Sequence, residues 1–430
     1  MAAKKIKKSS PSVVQRNTDW FIHDRFGMFI HFGLYAMAAR HEWVKFHEKR
    51  TTADYQKYFD HFDPDLFDPR VWARRAREAG MKYFVVTAKH HEGFCLWDTQ
   101  YTDYKVTNTP FGRDLLTPML QAFRAEGIKV GFYYSLLDWH HPDYTIDRHH
   151  PLKGDVLERN KNSERSMPRY AKYMRNQVTE LLTNFGKIDI LWFDFSFPDK
   201  DGKDGKGCAD WESEKLHSLA RKLQPSILID NRLDLPGSGD FETPEQVQPE
   251  KPFLDETGKP KAWEACQTFS GSWGYHRDEK SWKSVHQLLF MLIDGVSKGG
   301  NLLLNVGPTA RGELDSRAQE RLGGMGEWMK RHDRAVTGCG AAPGDLTAPQ
   351  DCRYTYNALT RRLYLHILSW PYLHVHCKAL GGRVRYAQLL NDASEIKFNF
   401  RTDGYLTLTL PDVQPNVEVP VVELFLIDEK

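Results

Sequence analysis

An aspartate ends an otherwise apolar segment, which is unusual for a residue that only packs in a core. In the segment "IDILWFDF", Asp194 follows Ile190 and Trp192 on the same face of a predicted strand. Asp is rarely fully buried without a partner. In a purely structural role, Arg232 of the later segment "DNR" would neutralise this carboxylate. We interpret Asp194 as a candidate nucleophile.

Other polar and aromatic side chains also fall near the ends of predicted strands. The segment "YFVVTAKHHEGF" ends a buried strand with His90 and His91. The remaining candidates of this kind are His31, Glu42, Trp43, Arg232 and Glu264. Hydroxyl groups of a sugar bind carboxylates and imidazoles, and its apolar faces pack on indoles. Because two carboxyl groups suffice to cleave a glycosidic bond, the residues favour a glycoside hydrolase.

Two other classes of protein would use similar residues. A non-catalytic carbohydrate-binding protein would keep the histidines and tryptophans but would need neither carboxylate. A metal-dependent hydrolase would need clustered ligands, whereas the adjacent residues His90 and His91 would face opposite sides of a continuing strand. We therefore predict that the protein binds no metal and no cofactor.

Composition and charge limit the partners. The 430 residues include 59 basic and 57 acidic side chains, for a net charge of +2, which argues against binding to nucleic acid or to a membrane surface. No segment has the roughly 18 consecutive apolar residues of a membrane span. The basic start "MAAKKIKKSS" lacks the apolar segment of a signal peptide. We expect a cytoplasmic protein, with secretion left open.

The predicted elements place these side chains at one end of a barrel. Eight β/α units before residue 310, with apolar strands and no G-x-G-x-x-G motif after the first, predict a (β/α)8 barrel of the TIM type. The C-terminal ends of its strands would gather the polar residues at one mouth. After residue 340 the hydrophobic period changes to two, which predicts a C-terminal antiparallel β-sandwich. The expected domains are 1–340 and 341–430.

Six motifs that span most of residues 15–335 form an ordered set. They are "GMFIHFGLY", "YFVVTAKHHEGFCLWDT", "IDILWFDFS", "DNR", "WEACQTFSGSWGYHRDE" and "GGNLLLNVGP". Together they resemble the α-L-fucosidases of glycoside hydrolase family 29. The resemblance implies a catalytic barrel joined to a β-sandwich. It also implies cleavage of terminal α-L-fucose with retention, through a covalent fucosyl-enzyme formed on an aspartate. Retention predicts two carboxyl groups about 5 to 5.5 Å apart.

The same resemblance assigns roles to individual residues. It places the nucleophile on Asp194, the ligands of the fucose hydroxyls on His31, Glu42, His90 and His91, and further pocket residues on Trp192 and Arg232. The acid/base matches either Glu264 or Glu245. We prefer Glu264, because Trp273 in the loop that follows would raise the pKa of its carboxyl.

The implied partner is a fucosylated oligosaccharide or glycoconjugate. Fucose lacks a 6-hydroxyl, so we expect an apolar patch for its methyl group, formed by Phe32, Trp192 or Trp273. The sequence leaves open the preferred linkage and whether the protein forms a homo-oligomer.

Overall fold

A parallel β-sheet carries the residues predicted to be functional. The computed structural model describes residues 18–199 and 204–427 of the chain. The strands of this sheet are β1 Phe26–Ile30, β2 Tyr83–Lys89, β3 Lys129–Ser135, β4 Ile190–Asp194, β5 Leu228–Ile229, β6 Glu264–Thr268 and β7 Asn301–Val306. Their order is β5-β4-β3-β2-β1-β7-β6, and every neighbouring pair is parallel.

Seven of the eight expected strand positions are regular strands within the described residues. The gap between β5 and β6 is spanned by residues 240–246, which we call the bridging segment. Its isolated bridges pair Asp230 with Phe241, Glu242 with Trp263, and Glu245 with Cys266. Backbone hydrogen bonds from Asp240 to Ile229 (2.7 Å) and from Gln246 to Cys266 (3.0 Å) connect it to both neighbours. The fold class, a TIM-like barrel with C-terminal antiparallel sheets, is therefore confirmed, with an irregular eighth position.

The helices lie along the chain between the strands. They are α1 Asp19–Asp24, α2 Tyr35–Ala38, α3 Val44–His47, α4 Thr52–Asp60, α5 Pro69–Glu78, α6 Leu116–Ala125, α7 Val156–Asn160, α8 Met167–Thr183, α9 Cys208–Trp211, α10 Ser213–Leu223, α11 Val285–Ser297 and α12 Ser316–His332. Short 3-10 helices cover Val106–Asn108, Lys161–Ser163 and Asp333–Ala335. In the described part of the chain, none of the helices combines the length and apolar character that crossing a membrane requires.

Local sequence explains where the helices begin. Asp68 accepts a hydrogen bond from the backbone N–H of Arg70, and Pro69 occupies the first turn of α5, where its missing N–H costs nothing. Ser284 and Gln287 form a reciprocal capping box at the start of α11. Both helices bury apolar side chains against the barrel, which stabilises them more than helix propensity alone.

The C-terminal part of the chain forms two antiparallel sheets. One has the order β10-β13-β12 and the other β11-β14-β9-β8. The strands are β8 Cys352–Asn357, β9 Arg362–Ile367, β10 His374–Cys377, β11 Val384–Leu389, β12 Lys397–Phe400, β13 Leu406–Thr409 and β14 Val421–Leu426. The parallel sheet ends at Val306 and these sheets begin at Cys352, so the domain boundary at 340 stays a prediction within that interval.

The barrel interior has its own apolar cluster, separate from the layer between strands and helices. It includes Phe29, Tyr133, Trp192 and Leu303, which come from four different strands and are at most 1% exposed. Because these residues lie beneath the mouth of the barrel, their packing sets the height and direction of the polar groups above them.

We expect Leu303→Ala to lower the free energy of unfolding by about 2–5 kcal/mol, because it removes a fully buried side chain and leaves a cavity in a core that collapses only partly. Equilibrium unfolding in urea measures this change. Leu359→Ala is the control, since Leu359 is 95% exposed, and its effect should stay within about 0.5 kcal/mol. Equal effects of the two substitutions would contradict the assigned interior position.

Candidate active site

A pocket opens at the C-terminal end of the parallel strands, as expected for a barrel of this type. Its empty volume, counted to include space open to solvent, is about 340 Å³. The lining residues are Phe29, His31, Trp43, His90, His91, Tyr133, Trp192, Asp194, Phe195, Glu245, Cys266 and Trp273. Six of the residues predicted to bind substrate and the predicted nucleophile therefore lie around one cavity.

Asp194 is the last residue of β4 and points into this pocket. Its Oδ2 accepts a hydrogen bond from the Tyr133 hydroxyl (2.7 Å), and its Oδ1 accepts one from Nη1 of Arg232 (2.7 Å). Nε2 of His91 lies 3.9 Å from Oδ2. Burial raises the pKa of Asp194, and the charge of Arg232 opposes that rise. The carboxylate is thus oriented by two donors at the floor of the pocket.

Arg232 joins Asp194 to a second carboxylate. Its Nη1 also donates to Oε2 of Glu245 at 2.7 Å, and its Nε donates to the hydroxyl of Thr243 at 2.9 Å. Since both carboxylate oxygens lie 2.7 Å from the same nitrogen, they are at most twice that distance apart, about 5.4 Å. This upper limit lies below the roughly 6.5–9.5 Å of inverting glycosidases and leaves room for the about 5 to 5.5 Å of retaining ones. The Glu245 side chain is 43% exposed, at the outer edge of the pocket.

Three histidines line the pocket as neutral imidazoles. Nδ1 of His31 is 2.6 Å from Oδ1 of Asn305, and Nδ1 of His91 is 2.7 Å from the Ser135 hydroxyl. Burial lowers the pKa of His31 to about 3 and holds the pKa values of His90 and His91 well below the ordinary value. A neutral imidazole has one donor and one acceptor, which suits a hydroxyl ligand.

Both His90 and His91 reach the pocket because β2 ends at Lys89. Their ring centroids are 4.0 Å apart, closer than alternation along a strand would allow. Gly93 completes the turn with φ = 85°, and a side chain there would collide with the Asp138 carboxylate. Among the residues that the structure describes, no group of three or more His, Cys, Asp or Glu side chains could hold a metal ion.

Aromatic rings form the walls. Trp273 packs on His31 with centroids 5.2 Å apart, and Trp43 contacts His91 edge to face at 5.0 Å. The guanidinium of Arg232 lies 4.4 Å above the ring of Trp192. Phe32, the third predicted methyl contact, is not part of this wall, because its ring packs on Phe62 and Trp72 between strand and helices.

Glu42 lies beside the pocket, where it fixes the turn that carries Trp273. Its Oε2 accepts hydrogen bonds from the backbone N–H groups of Trp273 (3.0 Å) and Gly274 (2.9 Å). Its buried Oε1 has no hydrogen-bond partner within the described residues. Burial raises the pKa of Glu42 to about 7.

Glu264 lies at the opposite end of the barrel from the mouth. It is the first residue of β6, pairs in register with Asn301 at the start of β7, and is fully buried. Its carboxylate accepts hydrogen bonds from the Tyr83 hydroxyl and from Nε1 of Trp192 (3.3 Å). Thr268 at the mouth lies four positions further along the strand, a distance of about 13 Å. The expectation that Glu264 stands on a loop at the mouth, next to Trp273, was therefore wrong, because the strand begins rather than ends there.

Sequence reasoning missed several residues of the site, among them Tyr133, Asn305 and Phe195. Tyr133 could have been predicted from the alternation of side chains along β3. It lies two residues before the last residue of that strand and therefore on the same face, whereas Tyr134 faces outward. Asn305, a polar residue late in an apolar strand, binds His31 and donates to the Trp273 carbonyl (2.6 Å). Phe195 enters the pocket because its φ of 80° reverses the chain just after Asp194. No sequence signal marks that conformation in a residue other than glycine.

The chain is similar to known α-L-fucosidases in sequence. The family model described as Alpha-L-fucosidase matches residues 1–334. Among curated relatives, the plasma alpha-L-fucosidase of Homo sapiens is 28% identical over 382 residues, which cover 82% of this chain and 76% of that protein.

Solved structures agree with the family match. Alpha-L-fucosidase isoenzyme 1 from Paenibacillus thiaminolyticus is similar with a TM-score of 0.90 and 45% identity, over 96% of this chain and 99% of that chain. A GH29 alpha-L-fucosidase from Bacteroides thetaiotaomicron, trapped as a covalent intermediate with 2-fluoro-fucosyl fluoride, is similar with a TM-score of 0.83 and 29% identity. That match covers 99% of this chain and 98% of the other.

The position of Glu264 predicts a pH-dependent stability. Burial raises its pKa to about 7, whereas a glutamate in the unfolded chain titrates near about 4.3. Its contribution to the free energy of unfolding is therefore complete below about pH 4.3 and is lost as the pH rises to about 7. We expect wild type to lose stability over this interval relative to Glu264→Gln, whose amide does not titrate.

Urea unfolding of both proteins at a series of pH values checks this expectation. Glu250→Gln, at an exposed position, is the control and should follow wild type at every pH. Parallel stability curves for wild type and Glu264→Gln would contradict the prediction.

Proposed function

The chain belongs to the alpha-L-fucosidase family, and on that premise we propose that it is a retaining exo-α-L-fucosidase that releases terminal α-L-fucose from fucosylated glycans. The observation that carries the proposal is the pair Asp194 and Glu245, held by one guanidinium with their bound oxygens at most about 5.4 Å apart, too close for an inverting glycosidase. The solved relative trapped as a covalent intermediate supports retention in this family.

We assign the nucleophile to Asp194. Its carboxylate lies at the floor of the pocket, and the Tyr133 hydroxyl and Arg232 fix its orientation. In the first step, its oxygen attacks the anomeric carbon of fucose and the glycosidic bond breaks. The product is a fucosyl ester on Asp194, while the leaving oxygen takes a proton from the acid.

We assign the acid/base to Glu245, the alternative left open by the sequence. Glu245 lines the pocket and is partly exposed, so it can reach both the leaving oxygen and a water molecule. In the second step, its carboxylate takes a proton from that water, whose oxygen attacks the anomeric carbon and releases Asp194. Glu264 is unsuited to this role because the side chains of Trp192 and Tyr83 enclose it.

The pocket suits a neutral deoxy sugar. The imidazoles of His31, His90 and His91 offer hydrogen bonds to hydroxyl groups, and none carries a charge that would favour an anionic ligand. Trp192 and Trp273 line the same cavity and offer the apolar surface that a methyl group requires. No finding favours the alternative of a non-catalytic carbohydrate-binding protein, which would not need two carboxylates at this spacing.

We expect wild type to release 4-nitrophenol from its α-L-fucoside but not from the β-D-galactoside or α-D-glucoside. Asp194→Gly should lower kcat for the fucoside by about 10⁴-fold or more, because the covalent step is lost. Added azide should restore part of the rate and yield the β-fucosyl azide. Product stereochemistry by NMR checks the role, and full activity of Asp194→Gly without azide would refute it.

We expect Glu245→Gly to lower kcat/KM for fucosides with poor leaving groups by about 10²–10⁴-fold, because the leaving oxygen loses its proton donor. The loss should be smaller for 4-nitrophenyl fucoside, whose phenolate leaves without protonation. Glu264→Gln is the matched comparison. Its kcat/KM should change by the same small factor for both leaving groups. A leaving-group dependence in Glu264→Gln, and none in Glu245→Gly, would reverse the assignment.

A further inference from the structure

A buried ion pair lies directly behind the histidines of the pocket. Lys89 is the last residue of β2, immediately before His90, and its side chain is fully buried. Its Nζ lies 3.0 Å from Oδ2 of Asp138, whose side chain is 2% exposed. Neither side chain lines the fucose pocket. Any effect of this pair on substrate must therefore act through the residues that it holds in place.

The ammonium group of Lys89 lies in the layer between the parallel sheet and α8. Its Nζ donates to the hydroxyl of Tyr170 on α8 (3.2 Å) and lies 4.5 Å from the ring centroid of Tyr134. The Tyr170 hydroxyl in turn donates to the carbonyl of Leu136 at 2.9 Å. A buried ion pair often adds little net stability, because both charges lose their hydration. The position of this pair is better explained by the backbone that it fixes.

Asp138 fixes the loop that follows β3. Its Oδ1 accepts hydrogen bonds from the backbone N–H groups of His140 (3.0 Å) and His141 (2.9 Å). Trp139 lies between Asp138 and His140, and its backbone N–H donates to the carbonyl of His91 at 2.8 Å. The carboxylate thus sets the direction from which the backbone of Trp139 reaches the histidine turn.

Two contacts therefore connect the turn of His90 and His91 to the loop after β3. The ion pair holds the residue before His90, and the Trp139 hydrogen bond holds the carbonyl of His91. The loop also approaches the turn closely at Gly93, where a Cβ atom would lie 2.3 Å from Oδ1 of Asp138. Because the two imidazoles follow the end of β2, contacts with neighbouring loops, rather than the alternation of the sheet, determine where the rings point.

The other side of the turn has a separate support. Glu92 accepts hydrogen bonds from the backbone N–H of Leu34 (2.9 Å) and from the hydroxyl of Tyr55. Loss of the ion pair leaves these bonds in place. We therefore expect the turn to stay folded without the pair, while the imidazoles shift relative to the substrate.

We propose that Lys89 and Asp138 are positioning residues, whose ion pair sets the direction of the His90 and His91 rings toward the sugar. The inference rests on the part of the proposed function that makes these imidazoles ligands of fucose. Nε2 of His91 also lies 3.9 Å from Oδ2 of the nucleophile Asp194, so the pair influences both binding and attack. A displacement of about 1 Å at groups of this kind can lower a rate by about 10²-fold.

The test measures the affinity of the full-length protein for L-fucose, by titration of its tryptophan fluorescence. Trp43 and Trp273 line the pocket, so their emission should respond to its occupancy. The variant Lys89→Met/Asp138→Asn removes both charges, so no single charge is left buried, and the amide oxygen can still accept from the loop. We expect Kd for L-fucose to rise about tenfold, because hydrogen bonds to the sugar are misplaced. For 4-nitrophenyl α-L-fucoside, kcat/KM should fall by about 10–10²-fold.

Lys129→Met/Asp24→Asn is the matched control. Nζ of Lys129 lies 2.7 Å from Oδ2 of Asp24 and 5.0 Å from the ring centroid of Trp20, so the same kinds of contact are removed. Lys129 begins β3, at the end of the barrel away from the pocket. Its Kd for L-fucose should equal that of wild type. An equal rise of Kd in the two double variants would overturn the inference.

Asp138→Asn alone provides a second variant that disturbs the fold less. Its amide oxygen can keep both backbone hydrogen bonds of the loop, whereas the charge opposite Lys89 is lost. Urea unfolding establishes that each variant is folded before titration. A purely structural role would lower the amount of folded protein and leave Kd of the folded fraction unchanged. We expect Kd to rise in Asp138→Asn as well, and an unchanged Kd in the folded variants would refute the positioning role.

The outcomes separate the two proposals. If wild type binds L-fucose but cleaves no fucoside, the proposed hydrolysis fails, and the Kd values still decide this inference. If wild type cleaves fucosides and Kd is unchanged in the folded variants, only the positioning role is overturned. If wild type neither binds L-fucose nor cleaves a fucoside, both proposals fail.

Discussion

The guanidinium of Arg232 is the contact on which the rest of the site depends. Burial raises the pKa of Asp194, the Arg232 charge lowers it, and the Glu245 charge raises it again. Two carboxylates this close repel each other, so one of them would hold a proton without a cation between them. For Arg232 to reach both, the end of β4, the turn after β5 and the bridging segment must meet at one point. The hydrogen bonds from the guanidinium to Thr243 fix that meeting point from the side of the bridging segment.

The irregular eighth position of the barrel follows from the same requirement. Pro244 has no N–H to donate, and Gln246 has φ = 54°, so residues 240–246 cannot form a continuous ladder with both neighbours. They pair through isolated bridges instead, and Glu245 lies at the last of these, opposite Cys266. In a regular strand, the direction of the Glu245 side chain would be fixed by the in-and-out alternation of the sheet. The irregular segment lets the carboxylate reach the outer edge of the pocket while the barrel interior remains covered.

Sequence patterns predicted the fold class and the floor of the site because both depend on period. Asp194 follows Ile190 and Trp192 at intervals of two, and in the structure the three residues lie in one continuous strand that keeps this alternation. The same reasoning failed for Glu264, because the pattern shows which face a residue takes but not where its strand begins. The joint inward direction of His90 and His91 depends on a turn closed by Gly93, and the direction of Phe195 depends on a left-handed backbone. These are tertiary constraints, and no local period encodes them.

Some buried polar atoms of the site have no hydrogen-bond partner among the described residues, which leaves these atoms available to bind substrate. Nδ1 of His90 and Oε1 of Glu42 are buried and have no hydrogen-bond partner among the described residues. A buried polar atom costs free energy unless a water molecule or a ligand satisfies it. The hydroxyl groups of a sugar can donate to and accept from such atoms. The large apolar core beneath offsets this cost, so the protein can hold these groups rigid before substrate arrives. Substrate then meets donors and acceptors that need little reorganisation, which is the condition under which polar groups contribute most to catalysis.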